Sequence, residues 1–435
     1  MNPGRRYLGL LLHSFGTRVG MTVFRLIRNA IIARILGPEA RGLFALISAL
    51  PELIAAIGSG GLSSALAYNA ARNAPAGLLI ARLILFGGVV CLGAALVGIA
   101  VLQWFPSSIE LGRSLGGWVW VVVIAAPLFA FKSGLLSVHN AAGHVREFNH
   151  LRLIESLAPL LLFLALFWAW ADHALFAAVA SWLLGMFLVV LVGLRWLGRY
   201  QAIAPVWTGV ANAGFLRYSA KTHPDVLFQQ LLLRIDFLMI AAMLGNESLG
   251  YYAIATAAAE LLLIVPESVT TPLMRRLLRQ GEGIEALVPM ALRVTGMAML
   301  FACGCTALLG EWLILILFGV DFLPAYPALL ALLPGVLGLC FAGILRLDLL
   351  GRNRGGTVSM VAGAMAILNI ALNLVLIPRF GIEGAAIGSS IAYLIGASVL
   401  LLVYVKEAGV GIGDTLFVRV DDMRRIGAVL GVGRP

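Results

Sequence analysis

The chain of 435 residues is 61% hydrophobic and only 12% charged, and its mean hydropathy is +0.98. A soluble globular protein carries about twice that share of charged residues and cannot bury so much apolar surface, so the composition excludes one. The net charge of +10 is therefore expected to mark the loops on one side of a membrane, and no nucleic-acid partner is expected.

Apolar stretches of about 20–30 residues, each long enough to cross a bilayer as a helix, follow one another along the chain. The sequence therefore predicts an all-α integral membrane protein with about twelve transmembrane helices. In chain order they lie near residues 10–36, 41–70, 76–104, 115–139, 149–170, 174–197, 213–243, 249–277, 284–318, 322–350, 355–378 and 383–405. No connection is long enough to form a soluble domain, so ligands must bind within the membrane-embedded part.

Basic residues are concentrated in every second connection. One side holds Arg72, Arg146 and the arginines of residues 275–279, together with both termini. The other side holds only four arginines: Arg34, Arg41, Arg113 and Arg379. The positive-inside rule places the more basic side in the cytoplasm, so both termini are predicted to be cytoplasmic and the helix count to be even.

An internal repeat relates the two halves of the chain. Leu36–Leu46 matches Leu244–Ile254 at a spacing of 208 residues, and the same spacing pairs Glu52 with Glu260. Because six helices per half is an even number, the repeats are predicted to be parallel and to surround a central cavity, as in a transporter. The predicted division is an N-terminal six-helix lobe at residues 1–205, a C-terminal six-helix lobe at 206–406 and a cytoplasmic tail at 407–435.

Seven cations lie within or next to the predicted spans, although a charge at mid-bilayer costs about 2.5–3.5 kcal/mol. They are Arg18, Arg25, Arg28, Lys132, Arg217, Lys221 and Arg234. Three interpretations compete: placement at the membrane interface, structural ion pairs such as Arg28 with Glu52, and a water-filled cationic cavity for an anionic substrate. The cavity is favoured, since arginine forms forked hydrogen bonds with phosphate oxygens.

Four carboxylates in the spans have two competing roles: Glu52, Glu155, Asp236 and Glu260. An intramembrane carboxylate either neutralises a neighbouring cation or binds a coupling ion, H+ or Na+. The counter-ion role is favoured because cations are abundant nearby. No other cofactor and no metal is expected, because the chain has no phosphate-binding loop and no cluster of metal ligands.

Three segments in order carry a resemblance to a known family: Arg28–Glu39 with Gly42, Arg234–Asp236 with Leu244–Tyr252, and Leu350–Arg352 with Gly381–Ala386. They resemble the multidrug/oligosaccharidyl-lipid/polysaccharide (MOP) exporter superfamily, in particular its polysaccharide (O-antigen type) flippases. The resemblance implies a multi-pass protein of the bacterial inner membrane that moves undecaprenyl-diphosphate-linked oligosaccharide to the outer leaflet by alternating access. It implies as partners that polyprenyl-diphosphate-linked glycan, membrane lipids and other polysaccharide-assembly proteins.

Two alternative functions remain open at this point. A cation-coupled multidrug exporter has the same predicted fold, but its cationic substrates favour an acidic or apolar cavity, whereas the first helix here is basic. A membrane polysaccharide polymerase or ligase usually needs a large outer loop with catalytic arginine or histidine. The longest outer loop here spans about ten residues near 107–116, so the sequence favours a transporter over an enzyme.

The predicted orientation can be tested with reporter fusions after Pro435. A reporter that is active only in the cytoplasm should be active there, and one that is active only outside should be silent. The reverse result would contradict the even helix count and, with it, the parallel arrangement of the repeats.

Overall fold

The computed structural model describes residues 3–104, 115–266 and 284–416, and it describes the side chains of 20–100, 115–266 and 288–416. Within these ranges the regular structure is entirely helical. The helices are α1 (Pro3–Gly58), α2 (Leu62–Ala70), α3 (Ala76–Arg82), α4 (Cys91–Trp104), α5 (Val119–Ala141), α6 (Val145–Ala169), α7 (Ala174–Leu197), α8 (Ala213–Leu261), α9 (Ile284–Leu317), α10 (Ala325–Gly351), α11 (Gly355–Ala408) and α12 (Ile412–Leu416). A π-helical segment, Leu83–Val90, joins α3 to α4.

Nine helices in the described ranges are long and apolar enough to cross a membrane. Three of them contain a glycine with non-helical backbone angles: Gly37 in α1, Gly245 in α8 and Gly381 in α11. A straight helix of 54 residues would be about 80 Å long, far more than the ~30 Å apolar core of a bilayer. Each bent helix is therefore long enough for two crossings, which agrees with the prediction of about twelve transmembrane helices. The predicted fold class is confirmed.

The internal repeat is visible in the backbone itself. Gly37 has φ 69° and ψ 176°, and Gly245, 208 residues later, has φ 86° and ψ −178°. This region of positive φ with extended ψ is open essentially only to glycine. Both repeats therefore make the same bend between their first two helices with the same residue type. We call the parts of α1 before and after Gly37 α1a and α1b, and those of α8 before and after Gly245 α8a and α8b.

The two bends pack against each other through a reciprocal glycine contact. A Cβ on Gly42 would overlap the carbonyl of Asn246, and a Cβ on Gly250 would overlap the carbonyl of Pro38. The residue pairs 42/250 and 38/246 are each related by the 208-residue spacing, so the contact exchanges equivalent groups. Nearby, Arg34 Nε donates to the carbonyl of Leu317 at 2.9 Å. The starts of α1b and α8b thus meet backbone to backbone.

Two compact units make up the chain. The first comprises Met1–Ala253 and Leu315–Leu323, and its core includes Leu66, Leu83 and Leu135. The second comprises Ile254–Ile314 and Pro324–Pro435. The predicted lobe boundary near residue 205 stays a prediction.

Hydrogen bonds of buried polar side chains link helices in the second unit. Asn369 Nδ2 donates to Ser389 Oγ at 3.0 Å, and the Gly335 amide donates to Ser390 Oγ at 3.1 Å. All of these side chains are buried. Their hydrogen bonds link the segments of α11 on either side of Gly381 to each other and to α10.

The reciprocal contact predicts that Gly42→Ala destabilises the protein, because a methyl group has no space against the Asn246 carbonyl. Overpacking of this kind typically costs about 1–3 kcal/mol. Gly93→Ala in α4 is the matched control, since a Cβ there meets nothing within 4 Å. Thermal unfolding in detergent should give a lower Tm for Gly42→Ala than for Gly93→Ala. Equal Tm values would show that the bends do not pack as described.

Candidate functional site

Two of the predicted cations lie together on α1a. Arg25 and Arg28 are one helical turn apart on the same side of the helix. Arg25 is exposed and Arg28 is half-buried, with its Nε buried and without a hydrogen-bond acceptor. Among the described residues, neither side chain forms an ion pair. The suggested pair of Arg28 with Glu52 is therefore not present.

Arg41, on α1b, is a site residue that the sequence analysis missed. Its side chain is only 6% exposed, and its guanidinium lies 5.6 Å from the centre of the Phe44 ring. Its Nε has no acceptor, and within the described ranges the side chain has no carboxylate partner. Arg28 is close enough to repel it electrostatically. The repeat could have identified Arg41. Its equivalent in the second repeat, Leu249, is apolar and fully buried, so the position of Arg41 is also expected to be buried.

A partly neutralised group of charges joins α5 to α6. Lys132 Nζ lies 2.7 Å from Glu155 Oε1, and Arg152 lies 3.0 Å from the other oxygen of the same carboxylate. Lys132 also sits 4.4 Å from the centre of the Phe129 ring. Glu155 is near enough to Arg28 to attract it. The carboxylate of Glu155 therefore interacts with three cations: Lys132, Arg152 and Arg28.

We call these residues the cationic cluster: Arg25, Arg28, Arg41, Lys132, Arg152 and Glu155. Five positive charges and one negative charge leave a net charge of +4. Each additional cation raises the electrostatic cost of burying the others in a low-dielectric setting. The arrangement is thus suited to an anion carrying more than one negative charge.

Arg234, on α8a, belongs to a separate pair. Its Nε lies 2.8 Å from Glu52 Oε2, and Gln230 Nε2 donates to the same oxygen at 3.0 Å. Asp236 is buried and accepts a hydrogen bond from the Tyr252 hydroxyl at 2.8 Å. Glu260 is exposed. The ion pairs of Glu52 and Glu155 favour the counter-ion role over the coupling role for these two carboxylates.

The remaining predicted cations lie elsewhere. Arg217 and Lys221 are exposed near the start of α8a, where they line a pocket of about 390 Å³ with Arg72. Lys221 precedes Arg234 by 13 residues, or about 20 Å along the helix. Arg18 lies outside the residues whose side chains are described. The predicted cations whose side chains are described therefore lie in three places: the cationic cluster, the Arg234–Glu52 pair and this pocket.

Comparison with known proteins assigns the family. A family model described as polysaccharide biosynthesis protein matches residues 31–327, more than half of the chain. The chain belongs to the polysaccharide biosynthesis protein family. The matched range includes Arg41, Lys132 and Glu155, so the family model covers much of the cationic cluster. A comparison with curated protein sequences gave no match.

Solved structures share the fold of this family member. The lipid II flippase MurJ, in an inward closed conformation, has a TM-score of 0.75 at 16% identity, over 98% of this chain and 93% of its own. An outward-facing multidrug resistance MATE transporter of the MOP superfamily has a TM-score of 0.64 at 16% identity, over 91% and 96%. A MOP superfamily transporter from Pyrococcus furiosus, described as having a binding pocket of reverse polarity, has a TM-score of 0.58 at 16% identity, over 91% and 96%. These likenesses show that the chain has the fold of MOP superfamily transporters, as the sequence resemblance predicts.

The Lys132–Glu155 pair predicts a specific pattern of stability. Glu155→Gln should lower the Tm because it leaves Lys132 buried without its carboxylate, and adding Lys132→Met should restore part of the loss. The double-mutant cycle should give a coupling of about 0.5–3 kcal/mol. Glu383→Gln, which changes an exposed carboxylate with no ion pair among the described residues, is the control. Additive effects of the two substitutions would contradict the pairing.

Proposed function

We propose that this protein is a flippase that moves undecaprenyl-diphosphate-linked oligosaccharide from the inner to the outer leaflet of the bacterial cytoplasmic membrane by alternating access. The glycan would serve the synthesis of O-antigen, exopolysaccharide or capsule. The family supports a role in polysaccharide biosynthesis, and the shared fold with a lipid II flippase supports a lipid-linked substrate. The proposed site for the diphosphate is the cationic cluster.

The observation that carries this proposal is that Arg28 and Arg41 form no ion pair within the described ranges. The carboxylate near Arg28, Glu155, is already paired with Lys132 and Arg152. A buried cation without a counter-ion costs several kcal/mol, and a bound anion offsets that cost. Arginine is suited to this task because its planar fork donates two parallel hydrogen bonds to a phosphate. The buried Nε atoms of Arg28 and Arg41, which have no acceptor, are then the groups that a diphosphate would satisfy.

The charge of the cluster also distinguishes this function from drug export. A net charge of +4 repels the organic cations that a multidrug exporter binds. The carboxylates best placed to attract such a cation, Glu52 and Glu155, already lie in ion pairs. The cluster therefore supports an anionic substrate over a cationic one.

The membrane potential can contribute to outward transport of this anion. With the cell interior negative, each net negative charge moved outward gains about 2.3 kcal/mol per 100 mV. Antiport of H+ or Na+ would add to this gain. The oligosaccharide itself would occupy the water-filled side of the site while the polyprenyl chain stays in lipid.

The proposal predicts that Arg28→Ala and Arg41→Ala each abolish flipping while the protein still inserts and folds. Lysine at either position should restore part of the activity, because it keeps the charge but lacks the fork. Arg195→Ala, which removes an exposed arginine, is the control and should leave flipping unchanged. Proteoliposomes loaded with a polyprenyl-diphosphate oligosaccharide, probed by an external lectin, measure transfer directly.

Two results would overturn the proposal. Normal flipping by the Arg28→Ala/Arg41→Ala double variant would show that the cluster does not bind the substrate. Efflux of a cationic dye that is lost in Glu52→Gln but kept in the double variant would instead identify a drug exporter.

A further inference from the structure

A second group of cations lines a pocket of about 390 Å³ in the first unit, between the end of α2 and the start of α8a. Its charged residues are Arg72, Arg217 and Lys221, and its rim includes Asn212 and Tyr218. All three cations are exposed, and within the described part of the chain none of them forms an ion pair. The pocket residues include no aspartate or glutamate. Three positive charges thus meet around a space large enough for a small anion.

Aromatic side chains fix one wall of this pocket. Tyr68 and Tyr218 stack with ring centres 4.2 Å apart, and the guanidinium of Arg72 lies 4.3 Å from the centre of the Tyr68 ring. Such stacking holds a guanidinium flat against the ring and leaves its N–H edge free to donate hydrogen bonds. Arg72 is therefore held in place before any ligand binds, which reduces the entropy that binding would cost.

The opposite wall is fixed by the segment that joins the two repeats, residues 198–212. Arg82, fully buried, donates from Nε to the carbonyl of Val210 at 3.0 Å and stacks 4.1 Å from the centre of the Phe215 ring. The Val206 amide donates to the carbonyl of Gly77 at 3.0 Å. Asn212 Oδ1 accepts from the Phe215 amide at 2.8 Å and orders the first turn of α8a, which carries Arg217. The pocket is thus built from anchored elements.

The joining segment beside the pocket also carries aromatic residues of the kind that favour a membrane interface. Tyr200 and Trp207, on the same joining segment, are each at least half exposed. Aromatic residues of this kind lie at the level of lipid headgroups. Phosphate groups of lipids in that leaflet would therefore lie at the height of the pocket.

We propose that this pocket is a binding site for a phosphate or diphosphate group, separate from the cationic cluster. Three unpaired cations, one of them a stacked arginine, match the charge and the hydrogen-bond geometry of such a group. Two sources share this chemistry: the diphosphate of a polyprenyl lipid and the headgroup of an anionic phospholipid. The site does not depend on the proposed flippase activity, because it contains no residue of the cationic cluster.

The test measures binding of three probes to the full-length protein in phosphatidylcholine nanodiscs: inorganic pyrophosphate, phosphatidylglycerol and undecaprenyl diphosphate. Arg28→Ala/Arg41→Ala is used as the background, so that binding at the cluster does not mask the pocket. Arg217→Gln/Lys221→Gln in this background should weaken binding of at least one probe by about tenfold or more, since two charged hydrogen-bond donors are lost. Arg146→Gln/Arg195→Gln removes two exposed arginines outside the pocket and should leave binding unchanged.

The pattern among the probes identifies the source. Competition of pyrophosphate with undecaprenyl diphosphate alone assigns the pocket to a polyprenyl lipid, and competition with phosphatidylglycerol assigns it to a phospholipid headgroup. The proposal is overturned if no probe binds the background protein, or if the two double variants weaken binding equally. Normal Tm values for both double variants establish that the comparison is between folded proteins.

Discussion

The cost of placing an arginine out of water is the constraint on which this structure depends, and two buried arginines meet it in different ways. Arg82 is fully buried, and carbonyl oxygens of the joining segment accept its hydrogen bonds. Arg41 is almost as buried as Arg82, but its Nε has no acceptor and within the described ranges it has no carboxylate partner. Its guanidinium lies 5.6 Å from the centre of the Phe44 ring. The fold supplies acceptors for two of the three guanidinium nitrogens of Arg82, whereas Arg41 is where the proposed anion would contribute.

The bends at Gly37 and Gly245 create the setting for this difference. Because each helix turns within one residue, α1b begins close to the end of α1a, and Arg41 comes near Arg28 although 13 residues separate them. A loop of several residues would separate these charges and allow each to reach water. The glycine bends therefore contribute to the electrostatics of the site as well as to its packing.

Much of the fold could be predicted from the sequence, because hydropathy reports directly on membrane crossings and the repeat marks equivalent bends. The pairing of charges could not be predicted in the same way. Glu52 was suggested as a partner of Arg28, but it pairs with Arg234, 182 residues away along the chain. Which side chains meet depends on the rotation and depth of each helix, and hydropathy constrains neither. Arg72, assigned to a loop, likewise joins Arg217 and Lys221 only through the packing of α2 against α8a.

The repeat also shows how a symmetric scaffold can carry an asymmetric site. The residues equivalent to Arg41 and Lys132 in the second repeat are Leu249 and Cys340, and both are buried. The residue equivalent to Arg28 is Asp236, which is buried and bonded to Tyr252. At these positions the second repeat has side chains that the fold itself can satisfy. The first repeat has cations, of which Lys132 is paired with Glu155, whereas Arg28 and Arg41 have no ion pair among the described residues. The residues of the cationic cluster all belong to the first repeat, so the proposed site for the diphosphate is asymmetric although the glycine bends of the two repeats are equivalent.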